Sequence, residues 1–170
     1  EATVLYSDIA GFTAMTERIG AARTVAVLNA YFDEVTRIVG DHDGIVTQFH
    51  GDAVLATFNV PVADPEHAAH ALSAARAILA LVEARDFDGE RLRVRIGINT
   101  GSLLAGNVGG GGRQSYTVYG GTVNLAARLE ALCKDHGKSL LVSAATAEAL
   151  PDAGLVSVGS IDVRGLAAPV

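Results

Sequence analysis

Apolar positions along the chain recur at two different periods, which predict strands alternating with helices. Residues 3–7 form a short β-branched and aromatic run that leads into the polar segment 8–13, the pattern of a strand followed by the start of a helix. From residue 21 to residue 39 apolar side chains recur every three or four positions, which predicts an amphipathic helix ending at Gly40. The core positions predicted for this helix are Val25, Leu28, Phe32, Val35 and Val39.

The rest of the chain continues this alternation. Residues 45–58 contain two β-rich runs separated by a polar tip, which predicts a hairpin. The further predicted elements are a helix over 68–82, strands over 92–99 and 103–108, a flexible tip over 109–112, a helix over 121–132, a strand over 140–143, a helix over 144–150 and an extended segment over 155–164. No period of 20 to 50 residues repeats, so the order predicts an α+β fold with a mixed sheet.

Composition fits one domain over residues 1–170. The chain has a mass of 17.5 kDa and 49% hydrophobic residues, enough for one core of ordinary size. Its 13 Lys and Arg residues face 19 Asp and Glu residues, a net charge of -6. This balance lacks the basic field that nucleic-acid or anionic-membrane binding requires.

Cysteine usage and apolar run lengths predict a cytoplasmic location. Cys133 is the one cysteine, so no intrachain disulfide can form, as is typical of a reducing compartment. The apolar stretches are shorter than the ~20 residues of a membrane-spanning helix, and the start lacks a signal-peptide pattern. We expect no direct membrane contact. A chain that begins at Glu1 and ends in Ala-Ala-Pro-Val is expected to be a piece of a longer protein.

Two aspartates occupy positions where strands give way to turns. Asp8 ends the first predicted strand, and Asp52 lies at the tip of the predicted hairpin, so the two lie side by side if their strands are neighbours. Such hard oxygen ligands suit Mg²⁺ or Mn²⁺ on a nucleotide's phosphates, and the amides of residues 9–13, including Phe12 and Thr13, could receive those phosphates. Spacing alone leaves open whether the aspartates bind a cation or are solvated turn residues.

A second pair of polar residues lies on one face of the helix predicted over 121–132. Asn124 and Arg128 are four residues apart, beside the leucine positions and not within them. An amide and a guanidinium together can stabilise charge on a ribose oxygen and a phosphate. The alternative is a surface arginine with an asparagine near the helix start, and the spacing does not decide between the two.

Four segments together resemble one enzyme family. Residues 7–13, 50–56, 94–101 and 119–128 read SDIAGFT, HGDAVLA, VRIGINTG and YGGTVNLAAR. In this order, and nearly end to end, they resemble the class III adenylate and guanylate (nucleotidyl) cyclase catalytic domain. The resemblance implies a ferredoxin-like βαββαβ core related to polymerase palms, with flanking helices. It also implies a head-to-tail, two-fold homodimer that converts a nucleoside triphosphate to its 3′,5′-cyclic monophosphate and pyrophosphate.

The resemblance also implies roles for the candidate residues. Asp8 and Asp52 match the two metal-binding aspartates, and the carbonyl of Ile9 is implied as a further ligand of two Mg²⁺ or Mn²⁺ ions per active site. Asn124 is implied to orient the ribose, and Arg128 to neutralise charge at the α-phosphate. Basic residues implied to meet the β- and γ-phosphates are Arg95 and Arg164.

Departures from the family pattern concern the base. Where adenylate cyclases have Lys and Asp or Thr, this chain has Gln48 and Thr117. Both side chains can donate and accept hydrogen bonds, so either purine could be bound. We favour ATP because Thr117 matches a bacterial adenylate cyclase variant and because a guanylate pattern would place Glu at position 48. His50 is unusual beside Asp52; it could perturb the metal site, but we expect it to pack.

The sequence therefore predicts a metal-dependent, homodimeric adenylate cyclase. One alternative is a guanylate cyclase or a purine nucleotide cyclase of relaxed specificity. An alternative of another class is a degenerate nucleotide-binding domain that acts as a regulatory partner, against which the intact Asp8, Asp52, Asn124 and Arg128 argue.

Overall fold

A computed structural model describes residues 1–160, apart from the side chain of Arg113. In chain order the elements are β1 (Ala2–Ile9), α1 (Phe12–Ile19), α2 (Ala21–Asp41), β2 (Ile45–His50), β3 (Ala53–Phe58), α3 (His67–Ala84), β4 (Val94–Gly101), β5 (Leu104–Gly110), β6 (Arg113–Tyr119), α4 (Gly121–Asp135), β7 (Leu140–Val142) and α5 (Ala144–Glu148).

Five strands form the main sheet, in the order β2-β3-β1-β4-β7. The first four strands pair antiparallel, and β7 joins the edge of β4 in parallel. From β1 to β4 the chain has the connectivity βαββαβ, with β1 and β4 adjacent at the centre, which is the ferredoxin-like arrangement. The predicted α+β fold with a mixed sheet and flanking helices is confirmed.

One face of this sheet carries the larger apolar core. Alternate residues of β1 and β4 point to that face and pack against α2 and α3, since side chains of a strand alternate between its two faces. The fully or nearly fully buried members of this core include Leu5, Ile9, Val27, Tyr31, Val35, Val54, Ile78, Ile96 and Ile98.

The other face is covered by α4. Val4 packs there with Ala126 in a small apolar cluster. Gly97 of β4 allows the close approach, because a Cβ at this position would overlap the backbone of Ala126 and Glu130 and lie 3.0 Å from the Cβ of Leu129. The glycine in the third resemblance segment therefore has a packing reason.

The buried stripe of α2 differs from the predicted one. Val25 was expected in the core but is 56% exposed, whereas Val27, Tyr31 and Val35 are fully buried. At 100° per residue, Val25 lies about 80° around the helix from Val35, which places it off the buried face. Tyr31 takes the central position because its ring fills the core like that of an apolar residue.

Strand β6 was not predicted from the sequence. It pairs with β5 in a separate two-stranded hairpin, with Gly109 and Gly110 inside β5 and the turn at Gly111 and Gly112. The predicted flexible tip is therefore too long by two residues. The polar start of β6 hides the strand pattern, because the hairpin is solvent-exposed on much of its surface.

The segment predicted as extended over 155–164 is described only to residue 160, and residues 155–160 belong to no strand. Its remaining residues lie outside the described part of the chain. Among residues 1–160, no helix combines the length and the apolar character needed to cross a membrane.

Candidate active site

The end of β1 and the start of β3 bring Asp8 and Asp52 to the same end of the sheet. Ser7 pairs with Val54 in the antiparallel register, so the turn before β3 lies beside the end of β1. The backbone amide of Ile9 donates a hydrogen bond to Oδ2 of Asp52 at 3.3 Å. A positive φ of 65° at Gly51, which glycine adopts without strain, turns the chain from β2 into this position.

The two carboxylates are crowded together. The pKa of Asp52 is raised to about 7, chiefly because burial disfavours its charged form, and further because of the neighbouring Asp8 carboxylate. Hydrogen bonds from the backbone act in the opposite direction without cancelling this shift. A divalent cation between the carboxylates would relieve their repulsion, so these residues fit a metal site.

The protein supplies few ligands to such a site. Within residues 1–160, no group of three or more His, Cys, Asp or Glu side chains is arranged to hold a metal ion. Asp8 and Asp52 would therefore need additional oxygen atoms, and a backbone carbonyl and substrate phosphates are the kind that Mg²⁺ binds.

Arg95 lies directly beside this pair. It is opposite Asp8 in the register of β1 and β4. Its Nη2 donates to Oδ2 of Asp8 at 3.3 Å, and its Nε donates to Oε1 of Glu130 at 2.8 Å. The guanidinium thus links the end of the sheet that carries the aspartates to helix α4.

Some of the backbone amides expected to bind phosphates already donate hydrogen bonds within the chain. The amide of Ile9 is bonded to Asp52, and that of Ala10 donates to the carbonyl of Arg93 at 2.8 Å. Both are therefore engaged within the chain, contrary to the expectation. The amides of Phe12 and Thr13 lie in the first turn of α1, where backbone amides have no partner inside the helix.

Gln48 and Thr117 are brought together from distant parts of the sequence. Nε2 of Gln48 donates a hydrogen bond to Oγ1 of Thr117, which joins β2 to β6. Thr117 is 2% exposed, whereas Gln48 is partly exposed. Gln48 is therefore the member of the pair that an incoming molecule meets first.

Asn124 and Arg128 lie on a different surface of α4 from the one that covers the sheet. The buried positions of this helix are Thr122, Ala126, Leu129, Glu130 and Cys133. At 100° per residue, Asn124 and Arg128 are on the opposite side of the helix from most of these positions. Within residues 1–160, no hydrogen bond or ion pair joins either residue to Asp8 or Asp52. Within residues 1–160, these contacts therefore do not join the four residues into one site.

A profile of the Adenylate and Guanylate cyclase catalytic domain matches residues 1–169. The chain belongs to this family. It is 43% identical over 150 residues to adenylate cyclase 1 of Rhizobium meliloti (strain 1021), a match that covers 85% of this chain and 23% of that protein. This chain thus spans about a quarter of that relative's length.

Solved structures of the cyclase family have the same fold. The adenylyl cyclase CyaB from P. aeruginosa superposes with a TM-score of 0.85 at 31% identity, covering 99% of this chain and 89% of that one. The guanylate cyclase domain of RhGC from Catenaria anguillulae, in complex with GTP, gives a TM-score of 0.85 at 27% identity, covering 99% and 91%. Membership of the cyclase family indicates the use of divalent metal ions.

The structure bears differently on His50 and Arg164, two further residues considered in the sequence analysis. His50 was expected to pack, but it is exposed at the end of β2, so that expectation is wrong for the single chain. The reason is its position next to the tip of the hairpin at an edge strand, where none of the elements within residues 1–160 buries it. Arg164 lies outside the described residues.

Sequence reasoning missed Glu130. This residue is buried on α4 and bonded to Arg95, yet a glutamate on a helix normally indicates a solvent-facing position. The available signal was its location next to Leu129, on the side of the helix predicted to face the core.

Proposed function

We propose that this domain is an adenylate cyclase, which converts ATP to 3′,5′-cyclic AMP and pyrophosphate in cyclic-nucleotide signalling. The observation that carries the proposal is the convergence of Asp8 and Asp52 at one end of the sheet with Arg95 beside them. Carboxylates next to a guanidinium suit a metal-bound triphosphate, because the carboxylates hold the cations and the guanidinium contacts phosphate oxygens.

The reaction is an intramolecular phosphoryl transfer. The ribose 3′-oxygen forms a bond to the α-phosphorus, the bond between that phosphorus and the oxygen bridging to the β-phosphate breaks, and pyrophosphate leaves with that oxygen. Two divalent cations, when bound, would favour loss of the 3′-hydroxyl proton and offset the charge of the triphosphate. Asp8, Asp52 and the carbonyl of Ile9 are the groups we assign to hold them.

The remaining candidate residues orient the substrate and balance its charge. We assign Asn124 to the ribose and Arg128 to the α-phosphate, where negative charge must be stabilised in the transition state. Arg95 and Arg164 are assigned to the β- and γ-phosphates. The amides of Phe12 and Thr13, at the start of α1, are the remaining donors for phosphate oxygens.

A homodimer would complete the site. Asn124 and Arg128 project from the side of α4 that faces away from the sheet, so they are available to a second chain and not to the aspartates of their own. We propose a head-to-tail dimer with two equivalent sites, each combining Asp8 and Asp52 of one chain with Gln48, Thr117, Asn124 and Arg128 of the other.

The direct test is an incubation of the purified domain with Mn²⁺ and either ATP or GTP at equal concentration, followed by chromatography of the products. We expect cyclic AMP as the main product and a higher rate with Mn²⁺ than with Mg²⁺, because Mn²⁺ tolerates looser coordination geometry. Preferential cyclic GMP formation would favour the guanylate alternative. A well-folded domain that makes neither product would indicate a regulatory nucleotide-binding domain.

Base selection has its own test at Gln48. Because its side chain is more accessible than that of Thr117, Gln48→Lys should sharpen the preference for ATP: a permanent donor disfavours the N1–H of guanine. We expect the ratio of kcat/KM for ATP over GTP to rise by about tenfold, equivalent to about 1.4 kcal/mol. An unchanged ratio would show that this side chain does not contact the base.

The domain's single cysteine supports a cytoplasmic location. Cys133 is buried against the carbonyl of Ile96, and burial raises the pKa of its thiol to about 11. A free cysteine without a disulfide role fits a reducing compartment.

A further inference from the structure

We propose that Glu130 is a positioning residue for Arg95: it holds the guanidinium by Nε so that the Nη nitrogens face Asp8 and the substrate's phosphates. This inference rests on the proposed function, in which Arg95 contacts the β- and γ-phosphates.

Two hydrogen bonds hold different nitrogens of the Arg95 guanidinium. The Nε–Oε1 bond to Glu130 measures 2.8 Å, and the Nη2–Oδ2 contact with Asp8 is longer, at 3.3 Å. Because a guanidinium is planar and rigid, a partner at Nε sets the direction of both Nη nitrogens. Glu130 therefore determines where the phosphate-binding side of Arg95 points.

Burial shows that the pair is built into the fold. The side chain of Glu130 is 7% exposed and that of Arg95 is 22% exposed. A carboxylate placed so deeply costs free energy unless it is paired, and an apolar residue would fill the position without that cost. An ion pair at this point therefore has a use beyond packing, and orienting Arg95 is the use that the contacts support.

Helix α4 approaches the sheet closely where the pair forms. Gly97 lies two residues after Arg95 on β4, and only its missing side chain leaves room for the backbone of Glu130. The close contact fixes the height of Glu130 above the sheet, so a carboxylate of the right length reaches Nε of Arg95.

Two substitutions separate geometry from charge. Glu130→Gln keeps the length of the side chain and an oxygen acceptor but removes the charge. Glu130→Asp keeps the charge but shortens the side chain by one methylene group, so that the carboxylate no longer reaches Nε. Positioning predicts that Glu130→Asp is the more harmful change, whereas a purely electrostatic role predicts that Glu130→Gln alone alters binding.

The measurements are the KM for ATP with kcat, and the Kd of Mg²⁺–tripolyphosphate from calorimetry, which requires no turnover. For Glu130→Asp we expect KM and Kd to rise by about tenfold, as on losing a charge-assisted hydrogen bond, with kcat changed less than about threefold. Glu130→Gln should keep both within about threefold of the wild type.

Glu90 provides the matched control. Its side chain is 9% exposed and is bonded to Arg18 at 2.5 Å, so it is a buried glutamate paired with an arginine other than Arg95. Glu90→Asp should leave the Kd of Mg²⁺–tripolyphosphate unchanged. If the Kd rises equally in Glu130→Asp and Glu90→Asp, the effect at Glu130 comes from a general loss of packing. That result would overturn the inference.

Other outcomes are equally decisive. A wild-type Kd and KM in Glu130→Asp would overturn positioning, as would tighter binding in Glu130→Gln alone. If the wild type makes no cyclic nucleotide, the proposed function fails. The inference is then still decided by the Kd values of the variants for Mg²⁺–tripolyphosphate. If the wild type does not bind tripolyphosphate, the inference is overturned.

If Glu130→Asp does not fold, Arg95→Lys replaces it. Because lysine lacks the fork, it should raise the Kd similarly, and an unchanged Kd would contradict the inference.

Discussion

On the side of the sheet covered by α2 and α3, β1 and β4 present apolar residues such as Ile9 and Ile96, which are almost completely buried. On the side covered by α4, the same two strands present Asp8 and Arg95, which remain partly exposed and bonded to each other. The apolar and the charged groups are therefore immediate neighbours along each strand.

This difference explains how the partly exposed charged side chains of Asp8 and Arg95 are held in place. Because side chains alternate, burial of Ile9 fixes the direction of Asp8, and burial of Ile96 fixes that of Arg95. The apolar side sets the register of the strands, and the charged side carries the proposed chemistry. Changes on the first side should therefore reduce stability, and changes on the second should reduce activity.

Removing a carboxylate should have the largest effect. In Asp8→Ala, turnover should fall by about a thousandfold or more, since a ligand of the proposed cations is lost. The thermal unfolding temperature should stay close to that of the wild type, because Asp8 is not part of the apolar core. Asp33→Ala, which removes an exposed carboxylate on α2, is the control and should stay active. Undiminished turnover in Asp8→Ala would remove the metal assignment.

A change on the apolar side should produce the opposite pattern. Ile78 is fully buried on α3, so Ile78→Ala should lower the free energy of unfolding by about 2–5 kcal/mol. Urea denaturation measures this loss. At a temperature where the variant is still folded, kcat per folded molecule should be unchanged. A large loss of kcat in the folded variant would show that the two sides are not separable.

The smallest expected effect concerns the crowding of the carboxylates. In the metal-free protein the pKa of Asp52 is raised from 3.8 to about 7, so its contribution to stability is most favourable below about pH 4 and declines as pH rises through 7. Asp52→Asn stays neutral and should be the more stable protein above pH 7. The full shift corresponds to about 4 kcal/mol, and solvent screening of a partly exposed group reduces the expected gain to about 1–2 kcal/mol.

Urea denaturation at pH 8 and pH 5 with a chelator present measures that gain. It should shrink at pH 5, where the wild-type carboxyl is largely protonated in the folded state. Equal stability of the two proteins at pH 8 would mean that neither burial nor the neighbouring Asp8 disfavours the charged form of Asp52.

Much of the fold could be predicted from periodicity. The helix that became α3 has a regular apolar pattern because one of its sides is buried, and β3 reads as a mostly apolar run because both of its faces are buried. Strand β6 escaped prediction because its first residues are polar and exposed, and of its described side chains just Thr117 and Val118, near its end, are buried. Such elements leave a weak pattern in the sequence.

The candidate site was less accessible to the same reasoning. The positions of Asp8 and Asp52 follow from strand ends, but the contacts of Glu130 with Arg95 and of Gln48 with Thr117 depend on how distant elements pack. No local pattern encodes a bond between residues 69 positions apart. The family resemblance named three of these four residues, and Glu130 emerged only from the packing of α4 on the sheet.

The central claim is that each active site combines residues of two chains, and a mixture of two inactive variants tests it most directly. Asp8→Ala and Arg128→Ala should each be inactive alone. The two variants are then unfolded and refolded together in equal amounts, so that mixed dimers form. In a mixed dimer one site carries both changes and the other carries neither. With random exchange half of the dimers are mixed and half of their sites are intact, so about one quarter of wild-type activity should return. If both variants are well folded alone and their mixture remains inactive, the shared site is contradicted.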